Sequence, residues 1–134
     1  MKVLIVEDNK IALMGIKKIL SEFPNLEICT AENGLMALEF LTKNQTELPD
    51  FSLLDLNMPI MNGIEFLREI KKNERLKTMP VVIHTTSFNS VDIKICQELG
   101  VCGYFVKELD MVKYKSNIKM IANYWIESKQ NLSQ

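Results

Sequence analysis

Three acids, a pair of hydroxyls and a lysine stand where buried segments have no use for them. Glu7-Asp8 follow the apolar run Val3-Leu-Ile-Val6. Asp55 ends the run Phe51-Ser-Leu-Leu54, Thr85-Thr86 end Val81-Val-Ile-His84, and Lys107 follows Gly103-Tyr-Phe-Val106. A carboxylate in an apolar interior costs several kcal/mol unless it is paired, so each acid marks the tip of a run. Clustered carboxylates raise one another's pKa unless a cation joins them. Oxygen-only ligands suit a hard divalent ion such as Mg²⁺, which keeps several waters. Such an ion would hold a phosphate donor against Asp55, whose carboxylate is a competent nucleophile toward phosphorus. Lys107 would balance charge on the transferred group, and a threonine hydroxyl would donate to a phosphoryl oxygen. Little more than positioning and charge neutralisation is required. Each residue also has a plainer use. Glu7-Asp8 suit a helix N-terminus, Asp55 an Asx turn into Asn57-Met-Pro59, the threonines a strand, and Lys107 a solvated surface. Their joint position at run ends favours a site.

The elements that must bring them together alternate along the chain. Strands are expected at 3–6, 26–31, 51–55, 81–86 and 103–106. Helices are expected at about 9–23, 35–43, from Asn62-Gly63 onward in a connection that Thr78-Met-Pro80 ends, from Asn89 or Ser90 to 99, and at about 110–129, because apolar residues recur there at helical spacing. The inward faces read as Ala12, Ile16, Ile19, Leu20 and Phe23 in the first helix, and Leu35, Leu38 and Leu41 in the second. Ile64, Leu67 and Ile70 face inward in the third, and Val91, Ile95 and Leu99 in the fourth. The fifth carries the stripe Tyr114, Ile118, Ile121, Ala122 and Trp125, with a frayed tail from Asn131. Continuous apolar strands alternating with helices imply an α/β fold: a parallel sheet covered on both faces. Right-handed crossovers make it a three-layer, doubly wound domain. Ligands of such folds bind beyond the carboxyl ends of the strands, where the marked residues fall.

Composition narrows the function. The 134 residues suggest one domain, with 47% hydrophobic and 25% charged residues. A formal net charge of −1 argues against nucleic acid or a membrane surface as the main partner. No stretch has the roughly 20 apolar residues of a spanning helix, and the opening run is too short for a signal peptide, so a cytoplasmic protein is expected. Cys29, Cys96 and Cys102 lack C-x-x-C spacing and read as reduced, packed residues. His84, the single histidine, reads as a strand residue and not a ligand.

The segments Val3-Leu-Ile-Val-Glu-Asp-Asn9, Leu54-Asp-Leu-Asn-Met-Pro-Ile-Met-Asn-Gly63, Pro80-Val-Val-Ile-His-Thr-Thr86 and Gly103-Tyr-Phe-Val-Lys107 resemble the receiver domains of bacterial two-component response regulators, in order and in spacing. The likeness covers almost the whole chain. It implies a CheY-like, flavodoxin-like (βα)5 fold with strand order 2-1-3-4-5. It implies that Asp55 accepts a phosphoryl group from a histidine kinase or a phosphotransfer protein. Mg²⁺ or Mn²⁺ would be held by Asp8, by Asp55, by the carbonyl of Asn57, and by Glu7 through water. Thr85 would be the switch hydroxyl, with Lys107 its conserved-type lysine and Tyr104 the rotating aromatic. Asn57 and Ser87 would tune dephosphorylation. Glu7 stands where aspartate is usual, so altered metal affinity is expected. Glu108 stands where a cis proline is usual; a non-proline cis bond costs roughly 2.5–4 kcal/mol, so a trans Lys107–Glu108 peptide is expected.

The resemblance also bears on output. The chain ends just past the fifth helix, as in a stand-alone receiver that signals by changing its downstream protein partner. In the last helix Met120 and Tyr124 lie one turn apart on a face adjacent to the core stripe, a candidate partner surface, and the face of the fourth helix, fifth strand and fifth helix is the family's usual switch and homodimer surface. Similar single-domain receivers with a tryptophan late in the last helix, as Trp125 is here, serve photoreceptor kinases. Three other functions compete. A haloacid-dehalogenase-like phosphatase wants a second acid two residues after Asp55, where Asn57 stands. A flavodoxin-like carrier wants a phosphate loop where Glu7-Asp8-Asn9-Lys10 stand. An unphosphorylated interaction module would have no need of Asp8, Asp55, Thr85 and Lys107.

Overall fold

The computed structural model describes residues 1–43 and 47–132. Its elements follow the expected alternation: β1 (Lys2–Val6), α1 (Lys10–Leu20), β2 (Glu27–Ala31), α2 (Gly34–Lys43), β3 (Phe51–Leu54), α3 (Gly63–Lys71), β4 (Val81–Thr85), α4 (Ser90–Glu98), β5 (Gly103–Val106) and α5 (Met111–Leu132), with a 3₁₀ turn at Leu76–Thr78. The strands form one parallel sheet in the order β2-β1-β3-β4-β5. Strand order reverses between β1 and β3, the place where a doubly wound sheet opens a crevice.

Side chains alternate across the strands and so divide the core in two. Leu4, Val6, Leu54 and Ile83 meet Ala37 and Leu41 of α2, Phe66, Leu67 and Ile70 of α3, and Cys96 of α4. Val3, Ile5, Phe51, Leu53 and Val82 meet Ile16, Ile19 and Leu20 of α1 and Ile118, Ile121 and Ala122 of α5. Phe51 stacks on Trp125 with ring centroids 5.7 Å apart. Burying such side chains on both faces is worth roughly 1.5–3 kcal/mol each and fixes the sheet.

Caps set where the helices begin. Asn9, Asn33, Asn62 and Asn89 each accept an N–H from the first turn of α1, α2, α3 and α4, and Asp110 does so for α5. α3 has a full capping box with Glu65. α4 stops at Leu99, before Gly100 at φ +77°.

Two inward faces differ from expectation. In α2, Leu35 is 40% exposed, and Gly34, Ala37 and Leu41 are buried in its place. The helix starts one residue early, because Gly34 is pressed on the β3–α3 loop; a Cβ there would lie 2.7 Å from the Met61 carbonyl. In α4, Val91 is 61% exposed and Cys96 takes the inward place, with Leu99 packed beside it. α4 packs on α3 at the β5 end of the sheet, which turns Val91 to solvent. Phe66 joins Leu67 and Ile70 as a core residue of α3, leaving Ile64 half-buried. α5 runs on to Leu132, past the expected start of the tail, and 133–134 lie outside the described residues. Among the described residues, no helix is long and apolar enough to cross a membrane.

Candidate functional site

The residues just past the strand ends are pinned by the sheet itself. Glu7 N–H donates to the Ala31 carbonyl at 3.0 Å, Asp55 N–H to the Val6 carbonyl at 3.0 Å, and Lys107 N–H to the Thr85 carbonyl at 2.7 Å. Each ladder is thereby extended one step, and three chemically active side chains leave the sheet from fixed backbones. The loop after Asp55 is held as tightly. Gly63 N–H bonds the Leu56 carbonyl, and a Cβ on Gly63 would sit 2.5 Å from the Asp55 carbonyl oxygen. Only glycine allows that approach. At the loop's outer turn Ile60 has φ +69°, and Met61 N–H bonds the Pro59 carbonyl at 2.7 Å, a γ-turn on a β-branched residue.

Glu7 and Asp55 are buried, at 2% and 7% exposure, while Asp8 is open to solvent. One carboxylate oxygen from each of the three lies within 4.8 Å of the others. Lys107 is the ammonium that faces them. Its Nζ lies 2.5 Å from Glu7 Oε1 and 3.5 Å from Asp55 Oδ2. The second Glu7 oxygen accepts the Asn9 N–H at 3.2 Å. Burial raises the Glu7 carboxyl above its ordinary range, and the nearby Asp55 charge adds to this against the pull of Lys107. Burial disfavours the Lys107 ammonium, yet the Glu7 hydrogen bond and the carboxylates hold its pKa above the usual lysine value. Three acids against one lysine leave excess negative charge, and all the donors are oxygens. That set fits a hard divalent cation. Asn57 is exposed at the mouth of the site, where it lines a cleft of about 510 Å³ with Asp8, Asn62 and Asp92. Its N–H approaches Asp55 Oδ1 at 3.4 Å.

The two threonines separate cleanly. Thr85 is fully buried and Thr86 is exposed. Thr85 Oγ1 accepts the Ser87 N–H at 3.3 Å. Tyr104 is half-buried, and its hydroxyl donates to the Ser87 carbonyl at 2.8 Å. Burial raises the pKa of that phenol. Glu7, Asp8, Asp55, Asn57, Thr85, Ser87 and Lys107 lie at the carboxyl ends of the strands or in the loops beside them, and Tyr104, second in β5, reaches the β4–α4 loop with its hydroxyl. The Lys107–Glu108 peptide is trans, as expected.

Several features were not foreseen. Glu7 meets Lys107 directly, 100 positions along the chain. Asp92, in the first turn of α4, accepts a 2.7 Å hydrogen bond from the Ser87 hydroxyl. The sequence marks Asp92 as an acid three residues after the Asn89 cap, but nothing in it pairs that acid with Ser87. His84 is 2% exposed, with neither ring nitrogen bonded to a protein group, and its ring meets Tyr114 edge-on at 5.1 Å. It is a packed strand residue, as expected.

The sequence profile of the response regulator receiver domain matches residues 3–119. Response regulator Rcp1 of Synechocystis sp. is 34% identical over 131 residues, which cover 94% of this chain and 89% of that protein. The crystal structure of the phosphorylated cyanobacterial phytochrome response regulator RcpA aligns with a TM-score of 0.89 at 33% identity, over 95% of this chain and 94% of the other. The Mn²⁺-bound form of Rcp1 aligns with a TM-score of 0.87 at 34% identity, over 94% of each chain. The acids at the strand ends, the 2-1-3-4-5 sheet and these relatives agree: the chain belongs to the response regulator receiver domain family, whose members are signalling domains of two-component systems and not enzymes.

Proposed function

We propose that Asp55 accepts a phosphoryl group from a phosphohistidine of a kinase or phosphotransfer protein, with Mg²⁺ bound beside it, and that the phosphorylated chain signals by changing partners. The observation that carries this reading is the buried Asp55 carboxylate at a strand end, within 3.5 Å of the Lys107 ammonium and grouped with Glu7 and Asp8.

An Asp55 carboxylate oxygen attacks phosphorus, the P–N bond to the donor histidine breaks, and the histidine nitrogen keeps the electron pair and takes up a proton. When bound, the divalent ion neutralises charge on the transferring phosphoryl oxygens. Asp8, Asp55 and the Asn57 carbonyl would hold it, with Glu7 next to them through water. Lys107 faces Asp55 and offsets the added negative charge. Thr85 swings its hydroxyl to a phosphoryl oxygen and gives up its bond from the Ser87 N–H. Asn57 and Ser87 flank the path of an attacking water and set the lifetime of the phosphoryl group. Small phosphodonors would label the same carboxylate without a kinase, and slow self-dephosphorylation would reset it.

The output surface in this reading is α4–β5–α5. Val91, Val106, Met120 and Tyr124 leave it apolar and exposed, and a downstream protein or a second copy of the chain would cover it. A phytochrome-class kinase is the first donor to test. The deciding experiment is labelling with acetyl phosphate and Mg²⁺. Wild-type protein is expected to gain one phosphoryl group and Asp55→Asn none. Equal labelling of the variant would overturn the assignment.

A further inference from the structure

Four hydrogen bonds meet at Ser87, in the loop between β4 and α4. Its N–H donates to Thr85 Oγ1 at 3.3 Å, and its carbonyl accepts from the Tyr104 hydroxyl at 2.8 Å. Its hydroxyl donates to Asp92 Oδ2 at 2.7 Å and accepts the Asn89 N–H at 3.4 Å. An acid at the third position of a helix ordinarily reaches back to the N–H of the capping residue. Glu65 does so for Asn62 in α3, at 3.0 Å. In α4 the serine hydroxyl stands between the two groups. It takes the Asn89 N–H and gives its own proton to Asp92.

The arrangement ties the start of α4 to the loop through a hydrogen bond to a charged acceptor, the stronger kind. Ser87 is followed by Phe88, which is 80% exposed, so no burial of that neighbour anchors the segment. The loop is held by polar bonds. With Ser87 fixed, its carbonyl is a fixed acceptor for Tyr104, which packs on the core face of α2, α3 and α4.

We propose that Asp92 is a positioning residue: by holding Ser87 through its hydroxyl, it keeps the Tyr104 hydroxyl turned in on the β4–α4 loop before any phosphoryl group reaches Asp55. The inference rests on the reading of Thr85 and Tyr104 as switch residues. In physical terms α4 pre-sets one part of the switch, and modification of Asp55 then has only Thr85 left to move.

The test uses the full chain with 3-fluorotyrosine incorporated, followed by ¹⁹F NMR. Tyr104→Phe assigns the resonance. Wild type, Asp92→Asn, Ser87→Ala, the double variant and Asp92→Glu are compared, each alone and with beryllofluoride and Mg²⁺. In the wild type the Tyr104 resonance is expected to stay nearly unmoved when beryllofluoride is added. Asp92→Asn and Ser87→Ala are expected to shift it toward a common new position, the double variant no further than either, and Asp92→Glu to restore it in part. Beryllofluoride should return it to the wild-type position while binding Asp92→Asn roughly fivefold more weakly, because binding then also has to turn the ring. An unshifted Tyr104 resonance in Asp92→Asn overturns the proposal, and so does an Asp92→Asn shift of full size in the Ser87→Ala background. Far-UV circular dichroism checks the fold, and Ser87→Ala removes the same bond from the other side if Asp92→Asn does not fold. The protein-bound fluoride signal is read in the same spectra. Its absence would refute the phosphoacceptor reading of Asp55, while the spectra without beryllofluoride still decide the role of Asp92.

Discussion

His84 should make the stability of this domain fall on mild acidification, and the size of the fall can be worked out. The ring lies at 2% exposure between the sheet and α5, edge-on to Tyr114, with no protein group on either nitrogen. Burial, with help from the Lys107 charge, pushes its pKa from 6.5 down to about 4. In the unfolded chain the imidazole takes a proton near pH 6.5; in the folded chain it resists until about pH 4. Between those values the unfolded state binds more protons, so stability is intact above the upper value and drains away as pH falls toward the lower. At about 1.4 kcal/mol per pH unit the full effect is about 3 kcal/mol, of which about 2 kcal/mol is already lost at about pH 5. Urea unfolding followed through Trp125 fluorescence at about pH 7.5 and pH 5 measures it, with His84→Val as the reference. The variant gives up an aromatic edge contact worth about 1 kcal/mol. It also removes two buried nitrogens that cost about 1–3 kcal/mol when unbonded. It should therefore match or exceed the wild type at the higher pH and lose about 2 kcal/mol less on acidification. The variant lacks the imidazole, so the difference between the two proteins reads the contribution of His84. Parallel curves for the two proteins would refute the reasoning.

Other perturbations have equally definite outcomes. Gly63→Ala places a Cβ 2.5 Å from the Asp55 carbonyl oxygen; it should cost about 2 kcal/mol in urea unfolding, because backbone must move to admit it. Ile60→Gly should raise stability by about 0.5–1 kcal/mol in the same assay, since the left-handed turn suits glycine and the lost side chain is mostly exposed. Asp8→Asn should leave the thermal midpoint unchanged, the residue being exposed. It should weaken Mn²⁺ binding by calorimetry about tenfold or more, through loss of a charged oxygen donor.

What the sequence revealed depended on the range of the interaction. Glu7, Asp8, Asp55, Thr85 and Lys107 were legible because each ends an apolar run, and a doubly wound sheet sends all such ends to one edge. Strand order followed from the same pattern with the family likeness. The faces of α2 and α4 were not legible. Periodicity alone chose Leu35 and Val91, whereas the contact of Gly34 with Met61 and the placing of Cys96 are decided by packing between elements. Thr85 was preferred to Thr86 through the family likeness, and Thr85 is the buried one of the two. The bonds of Glu7 to Lys107 and of Ser87 to Asp92 were invisible for a further reason. Each depends on loop backbones that bring one oxygen within reach of one donor, and spacing along the chain does not encode that distance.

The backbone bonds that carry Glu7, Asp55 and Lys107 come from three different neighbouring strands, β2, β1 and β4. No subset of the fold therefore contains the site. A chain with β5 detached loses its lysine, and one with β2 detached loses the anchor of its first acid. The Asp55 amide, bonded between the interior strands β3 and β1, should then exchange with solvent more slowly than the amides of Glu7 and Lys107, whose bonds each involve an edge strand, β2 or β5. Any ligand that gathers these side chains acts, by mass action, as a clamp on all five strands at once. Binding at one edge of the sheet thereby sets how often the opposite end of the domain comes apart.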